Sequence, residues 1–309
     1  MSDYLVTGGA GFIGSHLVDR LLAAGHRVRV LDDLSTGSRA NLDPACELVA
    51  ADVTDADAVR AAFAGVAGCF HLAAVASVAR SNEDWIGTHR ANATGTVTVL
   101  DAARMAGGVP VVYASSAAVY GEQGEGMIAE TAPLAPRTAY GADKLGSELH
   151  ARVAFEVHRV PTLGFRFFNV YGPRQDPSSP YSGVISLFAA RLSAGQPLRI
   201  HGDGGQTRDF VFVADVVERL VRGMELLRQE PQADVLNVCT GHATSIRGLA
   251  GVLTELAGRP VAFEFGPARP GDIRASLGDP RAARRKLGEA EMMPLGDGLA
   301  ATLASLRAA

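Results

Sequence analysis

The chain has 309 residues, of which 47% are hydrophobic and 20% charged, enough apolar side chain for a large core in one domain or two. A formal net charge of −4 excludes the basic footprint of a nucleic-acid binder and the polybasic patch of a lipid-surface binder, and three scattered cysteines without a C-x-x-C pair exclude a zinc site or a disulfide scaffold. No apolar run reaches the length of a membrane span and no charged leader precedes the first strand, so a cytoplasmic protein with no metal, membrane or nucleic-acid partner is expected.

Tyr4-Leu5-Val6 reads as a short buried strand. It leads at once into Thr7-Gly8-Gly9-Ala10-Gly11-Phe12-Ile13-Gly14, after which Ile13, Leu17 and Leu21 recur at helical spacing. Glycines at 8, 11 and 14 permit a tight turn, close approach of a ligand and packing of helix on strand. The free N–H groups and positive dipole end of the helix face an anion, so the stretch reads as a pyrophosphate seat. Its spacing is G-x-x-G-x-x-G rather than G-x-G-x-x-G, and alone it is equally a plain glycine-rich loop. Residues 27–31 read as the second strand, ending in Asp32-Asp33. An acid there, about 20 residues past the glycines, accepts hydrogen bonds from the adenosine ribose and repels a 2′-phosphate, which favours NAD over NADP.

A third strand over 47–53 ends with Asp52-Val53 and is followed by a helix through Val59 and Phe63. Residues 68–74 form a fourth, continuously apolar strand buried on both faces, in which His71 reads as a satisfied core histidine. Asn92 opens a helix that runs through Val99, Leu100 and Ala103, and residues 109–114 form the fifth strand. Regular alternation of this kind predicts an α/β fold with a doubly wound parallel sheet.

The fifth strand runs into Ser115-Ser116-Ala117-Ala118-Val119-Tyr120-Gly121, at the sheet end where open parallel sheets place ligands. Tyr140 and Lys144 follow at i and i+4 on one helix face. A Y-x-x-x-K spacing alone is a solvated helical pair. After a glycine loop, an acid at strand two and a serine at strand five, it reads as catalytic. Further on, residues 175–181 break the alternation and a new helical segment begins near Tyr181, so a domain boundary is expected near Tyr171. Residues 209–213 and 235–239 are expected to return to the sheet.

The ordered set of segments, with Arg166 to Arg174 and Gln206 to Val211, resembles the extended short-chain dehydrogenase/reductase family over essentially the whole chain. The resemblance implies a Rossmann-type NAD-binding domain of residues 1–170 plus about 209–240. It also implies a smaller, discontinuous α/β domain of about 171–208 plus 241–309 that binds a nucleotide sugar. Tyr140 is then the catalytic base, Lys144 its supporting cation and Ser116 the residue that orients the substrate hydroxyl. The NAD site would be formed by Gly8, Gly11, Phe12, Ile13, Gly14, Asp32, Asp52, Val53, Leu72, Ala73, Ala74 and Asn92, together with Tyr140 and Lys144. Homodimerisation through the helices after Asn92 and after Tyr140 is also implied. A tyrosine with an ordinary pKa of about 10 is a poor base at neutral pH. A lysine charge about 5.5 Å away, at an effective dielectric of about 20, contributes about 3 kcal/mol, or about two pKa units. The remainder falls to the positive ring of the oxidised cofactor, so Tyr140 is expected to become a competent base mainly with NAD present.

Members of the family divide into 4-epimerases, 4,6-dehydratases, decarboxylases and reductases. Dehydratases are alike in carrying Asp-Glu after the hydroxyl residue, since elimination of water needs a further acid and base; here those positions are Ala117 and Ala118. Asp32 speaks against an NADPH reductase. What remains is 4-epimerisation of a UDP-sugar through a transient 4-keto intermediate. Arg208 and Arg269 resemble the diphosphate-binding arginines, a role suited to a planar bidentate donor. Asn169 resembles the phosphate-contacting asparagine and Asp272 the acid on the uridine ribose. Val184 and His201 fall in the substrate site, His201 where relatives carry an aromatic near uracil. Ser276 matches the residue facing the sugar's C2 substituent, a tyrosine in relatives restricted to UDP-glucose and UDP-galactose and a small residue in those that accept N-acetylated sugars. The expected reaction is interconversion of UDP-GlcNAc and UDP-GalNAc, with UDP-glucose as a further substrate. The rivals are a UDP-glucose or UDP-glucuronate 4-epimerase and, more remotely, a non-catalytic NAD-binding sensor, against which the intact Ser116, Tyr140 and Lys144 argue.

Overall fold

The computed structural model describes residues 1–176, 183–268 and 273–308. Its first half alternates strands β1 (Asp3–Thr7), β2 (Arg27–Asp32), β3 (Glu47–Ala50), β4 (Gly68–His71) and β5 (Val111–Ser116) with helices α1 (Phe12–Ala23), α2 (Ala56–Ala62), α3 (Val78–Glu83), α4 (Trp85–His89) and α5 (Gly95–Met105). After these come β6 (Met127–Ile128), α6 (Ala139–His158), β7 (Thr162–Phe167), β8 (Asn169–Tyr171), α7 (Val184–Ser193), β9 (Leu198–His201) and β10 (Thr207–Phe212). The chain continues through α8 (Val213–Gln229), β11 (Ala233–Val238), β12 (Ala243–Ser245), α9 (Ile246–Ala257), β13 (Phe263–Gly266), β14 (Ala275–Gly278), α10 (Arg281–Leu287) and α11 (Leu295–Ala308).

Seven strands form one sheet in the order β11-β7-β5-β4-β1-β2-β3, and every neighbouring pair is parallel. This is the doubly wound α/β sheet expected from the alternation. Successive side chains of a strand face opposite sides, and β1 shows it: Tyr4 and Val6 join a core with Leu17 and Leu21 of α1 and Leu220 and Met224 of α8. Leu5 joins the opposite core with Val59 of α2, Phe63 just after that helix, Val99 of α5 and Ala151 of α6. Both faces are covered, which is why β1 and β4 carry apolar residues on both sides. The strand order reverses between β1 and β4, and open parallel sheets place ligands at the strand ends beside such a point.

The strands end differently from the sequence reading. The third stops at Ala50 and the fourth at His71, while the fifth extends to Ser116. Past His71 the Leu72 N–H still bonds the Thr7 carbonyl of β1 at 3.0 Å, and the Ala73 N–H then turns to the Thr7 hydroxyl at 3.3 Å, against the first turn.

A larger difference concerns β10. The sequence reading returns residues 209–213 to the main sheet, but β10 lies in a smaller mixed sheet, paired with β12, β14 and β8. Of the returning segments, α8 packs on the main sheet and β11 forms its edge. An apolar run sets the strand and the faces it buries, not the partner it pairs with. A third core of Tyr171, Phe188, Phe210, Leu249 and Leu299 lies under the smaller sheet. No helix among the described residues is long and apolar enough to cross a membrane.

Candidate active site

The glycine turn packs as its spacing predicts. Gly8 has φ +71°, and a Cβ there would lie 2.6 Å from the Ala73 nitrogen; at Gly14 it would lie 2.1 Å from the Gly8 carbonyl oxygen. Those two glycines are required by protein packing. Gly11 is different, because only the Gly8 oxygen, at 3.3 Å, lies within 4 Å of its absent Cβ. Helix α1 starts after Gly11 with no capping side chain and no acid in its first turn, so the N–H groups at Phe12 and Ile13 are left to an anion. An uncapped helix end behind an open glycine fits the pyrophosphate of a dinucleotide.

Asp32 ends β2 beside this turn, buried, its two carboxylate oxygens accepting the Ala10 and Leu34 N–H groups at 2.9 Å each. Burial raises its pKa and those two bonds oppose the rise. Each oxygen keeps a lone pair for a ribose hydroxyl. Asn92, also buried, lies in a π turn (Arg90–Thr94), where such single-turn insertions are often functional. Its amide clamps Val75 from both sides, accepting the Val75 N–H at 2.7 Å and donating to the Val75 carbonyl at 3.2 Å. The loop carrying Leu72, Ala73 and Ala74 is thereby held beside the glycine turn. Asp52 is exposed and accepts both the N–H and the hydroxyl of Thr54 at 2.8 Å, while Val53 packs against Gly95 at the start of α5.

Ser116, Tyr140 and Lys144 come together where β5 ends and α6 begins. Thr138 caps α6, accepting the Gly141 N–H at 3.0 Å, and the Tyr140 N–H is tied to the Ser81 hydroxyl of α3 at 3.3 Å. The half-buried Tyr140 phenol faces the Ser116 hydroxyl; burial pushes its pKa up and that neighbour opposes the rise. The Ser116 hydroxyl also accepts the Ala118 N–H at 3.1 Å. Lys144 is 5% exposed, and its ammonium donates to the Ala114 carbonyl at 2.9 Å and lies 5.8 Å from the centre of the Tyr140 ring. Burial lowers its pKa to about 8, with Asp143 opposing, so at neutral pH it is still mainly an ammonium with two donors to give. His71 bonds the hydroxyls of Thr7 and Thr96 at 2.8 and 3.1 Å and burial drops its pKa to about 3. It is the neutral core histidine expected.

The expected substrate residues divide. Arg208 and Ser276 are direct partners across the β10–β14 pair, and Arg208 donates to the Ile273 carbonyl at 2.8 Å. Asn169 stands opposite Phe210 on the other side of β10. His201 ends β9, with Nδ1 3.3 Å from the Pro267 carbonyl, and Val184 starts α7. Arg269 and Asp272 lie outside the described residues. Residues that the sequence reading passes over include Ser81, Glu148 and Asn237. For Glu148 a signal exists, since it continues the i, i+4 spacing of Tyr140 and Lys144 by one more turn.

A parallel sheet with a glycine turn at its switch point, and a Ser–Tyr–Lys group between β5 and α6, defines an NAD-dependent enzyme of the short-chain dehydrogenase/reductase type. The chain belongs to the NAD dependent epimerase/dehydratase family, whose model matches residues 4–239. It is 42% identical to the UDP-glucose 4-epimerase of Mycolicibacterium smegmatis over 98% of both chains. Its fold matches that of the UDP-N-acetylglucosamine 4-epimerase from Methanobrevibacter ruminantium, solved with UDP-N-acetylmuramic acid, with a TM-score of 0.94 and 30% identity over 99% of this chain and 98% of that one. It likewise matches the Thermus thermophilus UDP-glucose 4-epimerase, solved with NAD, with a TM-score of 0.90 and 35% identity over 99% of each chain. NAD, the cofactor expected from Asp32, is the cofactor of the family.

Proposed function

We propose that the protein is a UDP-sugar 4-epimerase that interconverts UDP-GlcNAc and UDP-GalNAc and also takes UDP-glucose and UDP-galactose. The observation that carries the reaction is the Tyr140 phenol on the Ser116 hydroxyl with the Lys144 ammonium behind it. Bound NAD supplies a reversible hydride acceptor. Ser116 orients the sugar's C4 hydroxyl, Tyr140 removes its proton, and the same phenol returns that proton once the 4-keto sugar has turned in the site. Lys144 favours the phenolate throughout. Ala117 and Ala118 offer no acid or base for eliminating water. Asp32, Asp52, Val53, Asn92 and the glycine turn hold the dinucleotide in this reading. Arg208 and Arg269 hold the sugar-nucleotide diphosphate, and Asn169, Val184, His201 and Asp272 its uridine phosphate end.

Ser276 carries the choice of sugar, because a side chain this small beside Arg208 leaves room at C2 for an acetamido group. The name of the M. smegmatis relative favours a second reading, restriction to UDP-glucose and UDP-galactose. The test is incubation of the purified protein with UDP-GlcNAc and with UDP-glucose, separately and with NAD, followed by separation of the epimers. Both are expected to convert; conversion of UDP-glucose alone supports the second reading, and conversion of neither removes the epimerase. In the Ser276→Tyr variant, turnover of the acetylated sugar is expected to fall about 100-fold, from the cost of forcing a large side chain into occupied space, with the plain hexose spared. Equal loss of both would remove Ser276 from the choice.

The homodimer belongs to the same proposal. Leu149, Val153 and Val157 recur every four residues along α6 and are 48%, 49% and 64% exposed, with Val97 of the adjacent α5 at 40%. An apolar stripe of this kind suits a matching stripe on a second copy. A dimer is expected in sedimentation, converted to monomer by Val153→Asp; an unmodified chain that sediments as a monomer at micromolar concentration contradicts it.

A further inference from the structure

The spacing that puts Tyr140 and Lys144 on one face of α6 continues to Glu148, and there the helix is fastened to the sheet. The buried Glu148 carboxylate accepts the Ser115 hydroxyl at 2.5 Å and Arg166 Nε at 2.9 Å on Oε1, and Arg166 Nη2 at 2.7 Å on Oε2. Arg166, on β7, is 4% exposed; its Nη1 donates to the Tyr120 hydroxyl at 2.9 Å and the Glu130 carbonyl at 3.1 Å. The Tyr120 hydroxyl in turn donates to Asn237 of β11 at 2.6 Å.

Three consecutive residues of β5 therefore hold three residues of α6. The Ala114 carbonyl takes Lys144, the Ser115 hydroxyl takes Glu148, and the Ser116 hydroxyl meets Tyr140. Two of these contacts belong to the reacting groups. The third is buried and joins no reacting group, yet it alone is anchored to a further strand through a two-bond fork. A buried ion pair is weak evidence for added stability, because apolar residues of similar volume often fold as well. What a bidentate Arg–carboxylate pair supplies is fixed geometry.

We infer that Glu148, held between Ser115 and Arg166, is a positioning residue of the reaction. It sets the height and rotation of α6 against β5, and so the approach of Tyr140 to Ser116 and of Lys144 to the cofactor side. The inference rests on the proposed role of Tyr140. Removing Glu148 outright strands a buried guanidinium and invites unfolding, so the informative variant is Ser115→Ala, which keeps the ion pair and cuts only its link to β5. Purified Ser115→Ala protein is expected to show kcat about tenfold below the unmodified enzyme, a misplacement effect, with KM for the UDP-sugar and bound NAD content within twofold. A kcat within twofold of the unmodified enzyme, whatever the melting temperature does, overturns the inference, as does a raised KM at unchanged kcat. An unmodified protein that epimerises no UDP-sugar overturns the proposed function instead, so the two failures are distinguishable.

Discussion

Turnover of the Tyr140→Phe variant is expected to fall about 1000-fold, the range of a positioned general acid–base group, while NAD stays bound. Phenylalanine keeps the ring that packs at the start of α6 and removes only the oxygen that meets Ser116. No other group of matched chemistry can take over. His71 is neutral, buried and committed to two threonine hydroxyls, and Ser116 is far too weak a base without the phenolate. Lys144 lies 5.8 Å from the ring centre, so at an effective dielectric of about 20 its charge favours the phenolate by about 3 kcal/mol. Burial works in the opposite direction on Tyr140, which is why the lysine alone leaves the phenol short of a base at neutral pH. Tyr140 is one contact of the expected NAD site and the glycine turn and Asp32 sit on other elements, so NAD should stay bound. A variant that keeps more than about a tenth of the turnover would remove Tyr140 from proton transfer.

Gly14→Ala is expected to cost about 3 kcal/mol of folding stability and with it the NAD site, a large overpacking effect for a single methyl. The added carbon would lie 2.1 Å from the Gly8 oxygen, 2.7 Å from the Gly9 Cα and 2.9 Å from the Gly8 carbonyl carbon. All three are backbone atoms of the turn itself, so no side chain can swing aside. Gly11→Ala is the contrast. Its methyl meets only the Gly8 oxygen, at 3.3 Å, and otherwise enters the space that the uncapped end of α1 faces, so thermal stability should hold while NAD affinity falls. Chemical denaturation and NAD titration of both variants check the pair. Equal stability of the two would mean that Gly14 does not hold helix to strand, and equal NAD affinity of Gly11→Ala and the unmodified chain would place the pyrophosphate elsewhere.

Much of the site is legible in the chain because its determinants are local. Gly8 and Gly14 fix a turn through backbone sterics while Gly11 leaves its mouth open, and Tyr140 and Lys144 share a face because four residues make about one helical turn. The apolar runs of β1, β4 and β5 announce a sheet buried on both sides. Strand ends are less legible: residues 72–74 are as apolar as the strand before them, yet β4 ends at His71 and the Ala73 N–H turns to the Thr7 hydroxyl instead of a backbone carbonyl.

What only the tertiary structure decided is pairing between distant residues. The apolar run Phe210 to Phe212 would suit the main sheet, yet the strand that carries it, β10, pairs with β8, β12 and β14, and that choice sets Arg208 beside Ser276. Glu148 meets Ser115 across 33 positions and Arg166 across 18, and Tyr120 meets Asn237 across 117. Helical and strand periodicity carries no record of such distances. The chain alone indicated its parallel sheet through the alternation of strands and helices, its glycine turn and the shared face of Tyr140 and Lys144 through local spacing, and Ser116 through the order of its motifs along the chain. The partners that hold those groups in place follow from the packing of whole elements, whose energy is shared among many contacts and written in no short stretch of sequence.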